Sequence, residues 1–155
     1  MTFLERKESS FIVPDKITIP CIPGDGIGPE VWASARYVTD ELIKSIFKGK
    51  KEIIWQELPV GQKSFEKTGE YITQESIDII KNAYVAVKGP LMTPVGGGIR
   101  SLNVALRKSL DLFACVRPVN WFKGIPTPVH LAWYCHQNPQ QCPFLPFFAF
   151  VPLTP

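Results

Sequence analysis

The chain has 155 residues, of which 45% are hydrophobic and 20% charged, and carries a formal net charge of +3. That size and balance fit one soluble domain, and so small a net charge gives no footing for nucleic-acid binding. The longest apolar stretch of the last 26 residues, Phe147 to Val151, is too short to cross a bilayer and is flanked by prolines, so no membrane partner is expected.

Residues 1–15 form an N-terminal extension with Glu5, Arg6, Lys7 and Glu8 and no apolar core of a secretory signal. Ile17 to Ile22 is an apolar run, in which Pro20 argues for a sheet edge or an irregular strand. Gly24-Asp25-Gly26-Ile27-Gly28-Pro29 then turns into a helix predicted from Glu30 to about Phe47. Val31, Ala35, Val38, Leu42 and Ile46 make its apolar stripe, and Pro29 suits the first turn. The glycine spacing is G-x-G-x-G, which does not match the G-x-G-x-x-G dinucleotide fingerprint.

Glu52 to Leu58 is the next candidate strand, and Gly61 to Gly69 is expected to be a charged loop. Thr73 caps a further helix, with Ile72 and Ile77 as a hydrophobic staple and Ile80 continuing the buried face. Alternating strands and helices predict a largely parallel sheet covered on both faces. Cys21 and Cys115 fall in predicted strands as buried free thiols, which fits a reducing, cytoplasmic setting.

Tyr84 to Val87 is a short strand, and Lys88-Gly89-Pro90 ends it, leaving the Lys88 charge at a strand terminus. Pro94 and Gly96-Gly97-Gly98 forbid regular structure and let backbone N–H groups approach a ligand. Ser101 fits the N-cap of a helix to about Leu110, with Leu102, Ala105, Leu106 and Leu110 as its apolar stripe. Asn103 and Arg107, four apart, share the other face. A strand from Leu112 to Val116 would deliver Arg117 at its carboxyl edge, beside the strand that ends at Lys88.

Taken singly, these residues have ordinary explanations: a cap, a solvated amide, surface ion pairs. Converging on one glycine loop beside a helix N-terminus, they suit an anion, and the planar fork of arginine meets a carboxylate bidentately. Two such clamps point to a di- or tricarboxylate.

Three motifs make the reading specific: GDGIGPE at Gly24 to Glu30, KGPLMTPVGGG at Lys88 to Gly98, and IRSLNVALR at Ile99 to Arg107 followed by LDLFACVRPV. Together they resemble isocitrate dehydrogenase of the bacterial NADP-dependent type, within the β-decarboxylating dehydrogenases, from about Lys16 to Val129. The resemblance covers the first third of that family's usual chain. It implies an α/β fold, a partial isocitrate/isopropylmalate dehydrogenase-like three-layer sheet that is incomplete and carries an irregular C-terminal tail. It also implies that Ser101 and Asn103 contact the substrate's carboxylates, that Arg107 and Arg117 clamp them, and that Lys88 supports the pocket electrostatically. Met92 and Thr93 would lie at the nicotinamide end of the cofactor. Relatives carry Thr-Thr-Pro where this chain has Met92-Thr93-Pro94, so a side-chain hydroxyl contact is lost at Met92 while a backbone contact would survive. The polar pair Ser101 and Asn103 suits a γ-carboxylate better than the isopropyl group of an isopropylmalate dehydrogenase substrate.

The expected substrate is therefore isocitrate, the cofactors NADP with Mg or Mn, and the assembly a homodimer. The family's metal carboxylates and its Tyr and Lys acid/base residues would lie beyond Val129.

The composition changes after Val129. Residues 130–155 contain no Asp, Glu, Lys or Arg in 26 positions, where an average soluble sequence has about six. Prolines at 139, 143, 146, 152 and 155 break any helical or alternating pattern. Residues 16–129 are accordingly the N-terminal part of the dehydrogenase large domain, and 130–155 an unrelated, irregular tail of frameshifted, non-coding or gene-model origin. Cys135, His136 and Cys142 lack the spacing of a metal site. Two functions follow: a chain carrying substrate-binding residues of an NADP-dependent isocitrate dehydrogenase, inactive alone; or a non-catalytic fragment that binds tricarboxylate or an intact dehydrogenase subunit.

Overall fold

The computed structural model describes residues 2–7, 10–92, 101–118 and 133–136, with the backbone only for 115–118 and 133–136. The elements in order are β1 (Glu5–Lys7), β2 (Ser10–Ile12), β3 (Lys16–Ile22), α1 (Gly28–Phe47), β4 (Glu52–Glu57), α2 (Gln62–Thr68), α3 (Gln74–Ala83), β5 (Val87–Lys88), α4 (Leu102–Ser109), β6 (Cys115–Pro118) and β7 (Trp133–His136).

A parallel sheet in the order β4-β3-β5 forms the centre, and β1-β2 and β6-β7 are separate antiparallel pairs. Its register sets Ile19 opposite Trp55 and Ile22 opposite Lys88. Residues 19 and 22 differ by an odd number, so they face opposite sides of the sheet. On the Ile19 side, Trp55 packs edge-on against Trp32 of α1, with ring centroids 4.9 Å apart. On the Ile22 side lies the core: Ile22, Leu58, Ile77, Ile80, Leu102 and Leu106 are among its buried members. The α1 crossover moves the chain from β3 to β4, and the α2–α3 crossover returns it to the far side of β3. Helices on opposite faces are what right-handed crossovers in opposite directions require.

Pro20 does not lie at an edge: it is fully buried in the central strand. Thr18 N donates to Thr2 O (2.7 Å) and Ile22 O accepts from Gly89 N (2.7 Å), whereas Cys21 O accepts from Leu58 N (2.8 Å). Even-numbered residues of β3 thus point away from β4. Pro20 falls among them, where β5 is already absent because it pairs only with Cys21 and Ile22, so no ladder donor is lost.

Other expectations shift as well. Gly61–Gly69 encloses α2, a 7-residue helix flanked by its N-cap Gly61 and its left-handed C-cap Gly69 (φ 77°), with Phe65 stacked on Tyr71 at 4.4 Å. Tyr84 belongs to no strand; it is the left-handed cap of α3 (φ 59°), so β5 begins only at Val87. α3 itself is as predicted, with the Thr73 side chain accepting from Ser76 N. In α1 the sheet-facing residue is Trp32, and Val31, Val38, Leu42 and Ile46 stay exposed. The helix has a wider apolar arc than three strands cover, and the large indole takes the covered sector. Four residues of the segment expected to be irregular, Trp133–His136, form β7 opposite β6; they precede the first proline of the tail. Cys21 is fully buried, and burial, then Glu57, pushes its thiol up to about 12, so it is an inert thiol. Among the described residues no helix is long and apolar enough to cross a membrane.

Candidate functional site

The chain leaves β3 toward β4 on one side and later returns to β5 on the other, so the carboxyl ends of β3 and β5 flank a topological switch point. Open α/β sheets bind ligands in the crevice outside such a point. The loops that meet there are Pro23–Ile27 after β3, Leu58–Gly61 after β4 and Gly89–Met92 after β5, joined by the start of α4.

These loops pack backbone to backbone. A Cβ on Gly24 would strike Pro90 O, and one on Gly89 would strike Pro23 O. Asp25 N donates to Pro90 O at 2.7 Å across the same seam. The glycines of the GDGIGPE stretch therefore serve close loop packing, which accounts for a spacing unlike that of a dinucleotide fingerprint.

Lys88 ends β5 and is 5% exposed. Its Nζ donates to Gly89 O (2.6 Å) and to Asn103 Oδ1 (2.7 Å), and Asn103 Nδ2 donates to Leu91 O (3.2 Å). The Lys88 pKa is lowered to about 8, by burial first and then by the nearby Arg107 guanidinium, with Asp25 opposing both. Arg107 is itself 6% exposed, one turn beyond Asn103 on α4. Two buried cations thus share one neighbourhood. Among the described residues Lys88 uses two of its three N–H donors and Asn103 one of two, which leaves one each for a carboxylate.

The structure brings Lys88, Asn103 and Arg107 together, and places Ser101 at the N-cap of α4. The Ser101 hydroxyl makes no capping bond, unlike Thr73 at the start of α3, so it is not committed to the helix. Met92 follows β5 at the rim, its side chain 64% exposed and its backbone N–H donated to Asp25 Oδ2 at 3.0 Å. A cofactor contact through that N–H is therefore already taken. Arg117 lies within β6, paired to Tyr134 of β7. It does not end a strand neighbouring β5, because β5 pairs with β3 alone among the described residues. Its side chain, Thr93 and the glycine triplet at 96–98 lie outside what the structure describes.

Sequence reasoning passed over Asp25. It is 8% exposed, and its carboxylate accepts from Gln62 N (3.0 Å) and Met92 N (3.0 Å). A short acid between two glycines directly after a buried strand was the available signal: no local turn partner accounts for it. No group of three or more His, Cys, Asp or Glu among the described residues could hold a metal ion.

The sequence model of a family described as isocitrate/isopropylmalate dehydrogenase matches residues 18–135. Isocitrate dehydrogenase (NADP) from Staphylococcus aureus is 57% identical over 117 residues, 76% of this chain and 28% of that protein. The protein of the same name from Streptococcus mutans is 53% identical over 123 residues, covering 79% and 31% respectively. Among solved structures, isocitrate dehydrogenase from Methylococcus capsulatus matches with a TM-score of 0.56 at 37% identity, over 76% of this chain and 33% of that one. The chain thus spans about a third or less of the length of these relatives.

Proposed function

The chain belongs to the isocitrate/isopropylmalate dehydrogenase family, and we propose that it carries the tricarboxylate-holding part of an NADP-dependent isocitrate dehydrogenase site. The observation that carries this reading is the Lys88–Asn103–Arg107 cluster: buried cationic charge with unused donors at the carboxyl end of a parallel strand. A trianion such as isocitrate would gain charge-assisted hydrogen bonds from Lys88 and Asn103, and Arg107 would add attraction in a partly desolvated setting. Ser101 would donate its uncommitted hydroxyl to a carboxylate, and Arg117 would supply the second guanidinium.

NADP, when bound, accepts the hydride from the substrate. The wall facing it would be Met92 and Thr93, with Met92 offering its carbonyl or side chain because its N–H is held by Asp25. Mg or Mn belongs to this reading by family; among the described residues there is no group of three or more His, Cys, Asp or Glu to hold it. Cytoplasmic location and homodimer assembly are part of the same proposal.

In the 155-residue chain the expected activity is binding without turnover. Calorimetric titration with isocitrate should give saturable binding, and a coupled assay for isocitrate-dependent NADPH formation should give none. An Arg107→Ala variant that binds isocitrate as well as the parent chain would remove the basis of the proposal. Measurable turnover would overturn the assignment of a non-catalytic, substrate-holding role.

A further inference from the structure

We propose that Asp25 is a positioning residue: its buried carboxylate ties the segment leading to Met92 to the turn that starts α2, and so fixes where the cofactor-side wall stands. The identity of that wall rests on the function proposed above; the tie itself does not.

Asp25 is 8% exposed, and both carboxylate oxygens are used. Oδ1 accepts from Gln62 N, the first residue of α2, and Oδ2 accepts from Met92 N, each at 3.0 Å. Its own N–H donates to Pro90 O (2.7 Å), so backbone and side chain of one residue hold the same loop at two points. The space around the carboxylate is closed on the remaining side: a Cβ on Gly61 would lie 2.6 Å from either oxygen. A carboxylate meets this geometry because two N–H groups aim at it from separate loops; an amide would turn an NH₂ group against one of them. Charge matters too, since Asp25 opposes the effects of burial and of Arg107 on Lys88. Those are the charged groups acting on that amine among the described residues. One residue therefore sets the position of the Met92 rim and supports the Lys88 ammonium.

The test compares the 155-residue chain with its Asp25→Asn variant by ¹⁵N and ¹³C NMR. The Met92 amide should exchange with solvent at least about tenfold faster in the variant, as loss of one charge-assisted hydrogen bond implies. Amides of Ile80 and Leu106 should change less than about twofold if the core is intact. The Lys88 Cε resonance should titrate below the parent's midpoint, a readout that a purely structural residue would not move. Unchanged Met92 exchange and an unchanged Lys88 midpoint would overturn the proposal. Should Asp25→Asn fail to fold, Gln62→Pro removes the Oδ1 donor and keeps the carboxylate, at a first helical position that tolerates proline, giving up besides the exposed Gln62 Nε2–Glu66 Oε1 bond. Faster Met92 exchange with the Lys88 midpoint kept is then expected, and unaltered Met92 exchange refutes the tie. Titration of NADP into the same samples separates the two claims: a parent chain that protects Met92 yet binds no NADP defeats the assignment of this rim as the cofactor-side wall and leaves the Asp25 tie standing.

Discussion

Replacing Lys88 by methionine should convert a buried charge into a pH-dependent difference in stability. Burial holds the Lys88 pKa near 8, against 10.5 in an unfolded chain. Between those values the unfolded state binds more protons than the folded one, so stability rises with pH across that window. Below about pH 8 both states are protonated and the full penalty applies. The gap from 10.5 to about 8, at about 1.36 kcal/mol per pH unit, amounts to about 3 kcal/mol. Lys88→Met removes that titration and also the bonds to Gly89 O and Asn103 Oδ1, but the loss of those bonds is an offset that pH does not alter. Urea unfolding followed by circular dichroism, run on parent and variant from about pH 7 to about pH 10, should show the parent gaining about 2–3 kcal/mol relative to the variant. A difference that stays flat with pH would refute the claim that Lys88 is held charged in a desolvated, cation-rich place.

Gly89→Ala should lower stability by more than about 2 kcal/mol in a thermal melt, because the new methyl meets the Pro23 carbonyl, which is backbone and cannot swing aside. Gly69→Ala, with open space around it but a φ of 77°, should cost less, about 1 kcal/mol. Ser64 is fully buried in α2 and its hydroxyl has no hydrogen-bond partner among the described residues; Ser64→Ala should raise stability by about 0.5–1 kcal/mol in urea unfolding. Leu42 and Ile46 are 54% and 65% exposed on α1; the Leu42→Lys, Ile46→Glu double variant should raise the solubility limit in sedimentation runs with an unchanged circular dichroism spectrum.

Much of this fold was legible where local chemistry and tertiary context agree. Thr73 with its hydrophobic staple announces α3, the Leu102, Leu106 and Leu110 spacing announces α4, and the run at Lys16–Ile22 announces β3. Legibility failed where a neighbour far along the chain decides the outcome. Pro20 reads as an edge residue, yet it sits centrally because β5 stops short of it. The apolar residues of α1 read as one buried stripe, yet Trp32 takes the contact with Trp55. The Gln62–Thr68 segment is too short for a helical period to show, and its flanking glycines look like loop residues. At the candidate site, residue types drew attention to Lys88, Asn103 and Arg107. Their mutual hydrogen bonds, and the acid that holds the rim in place, depend on the meeting of β3, β4 and β5 loops, which no local pattern encodes.

The central claim is that Lys88, Asn103 and Arg107 form a receptor for a tricarboxylate. It is tested most directly by following the Lys88 Cε resonance through a pH titration with and without isocitrate. A bound trianion favours the ammonium form, so the midpoint should climb from about 8 toward the ordinary lysine value as isocitrate saturates, with the Asn103 side-chain amide shifting in parallel. A Lys88 midpoint and an Asn103 amide that ignore isocitrate at millimolar concentration would contradict the account.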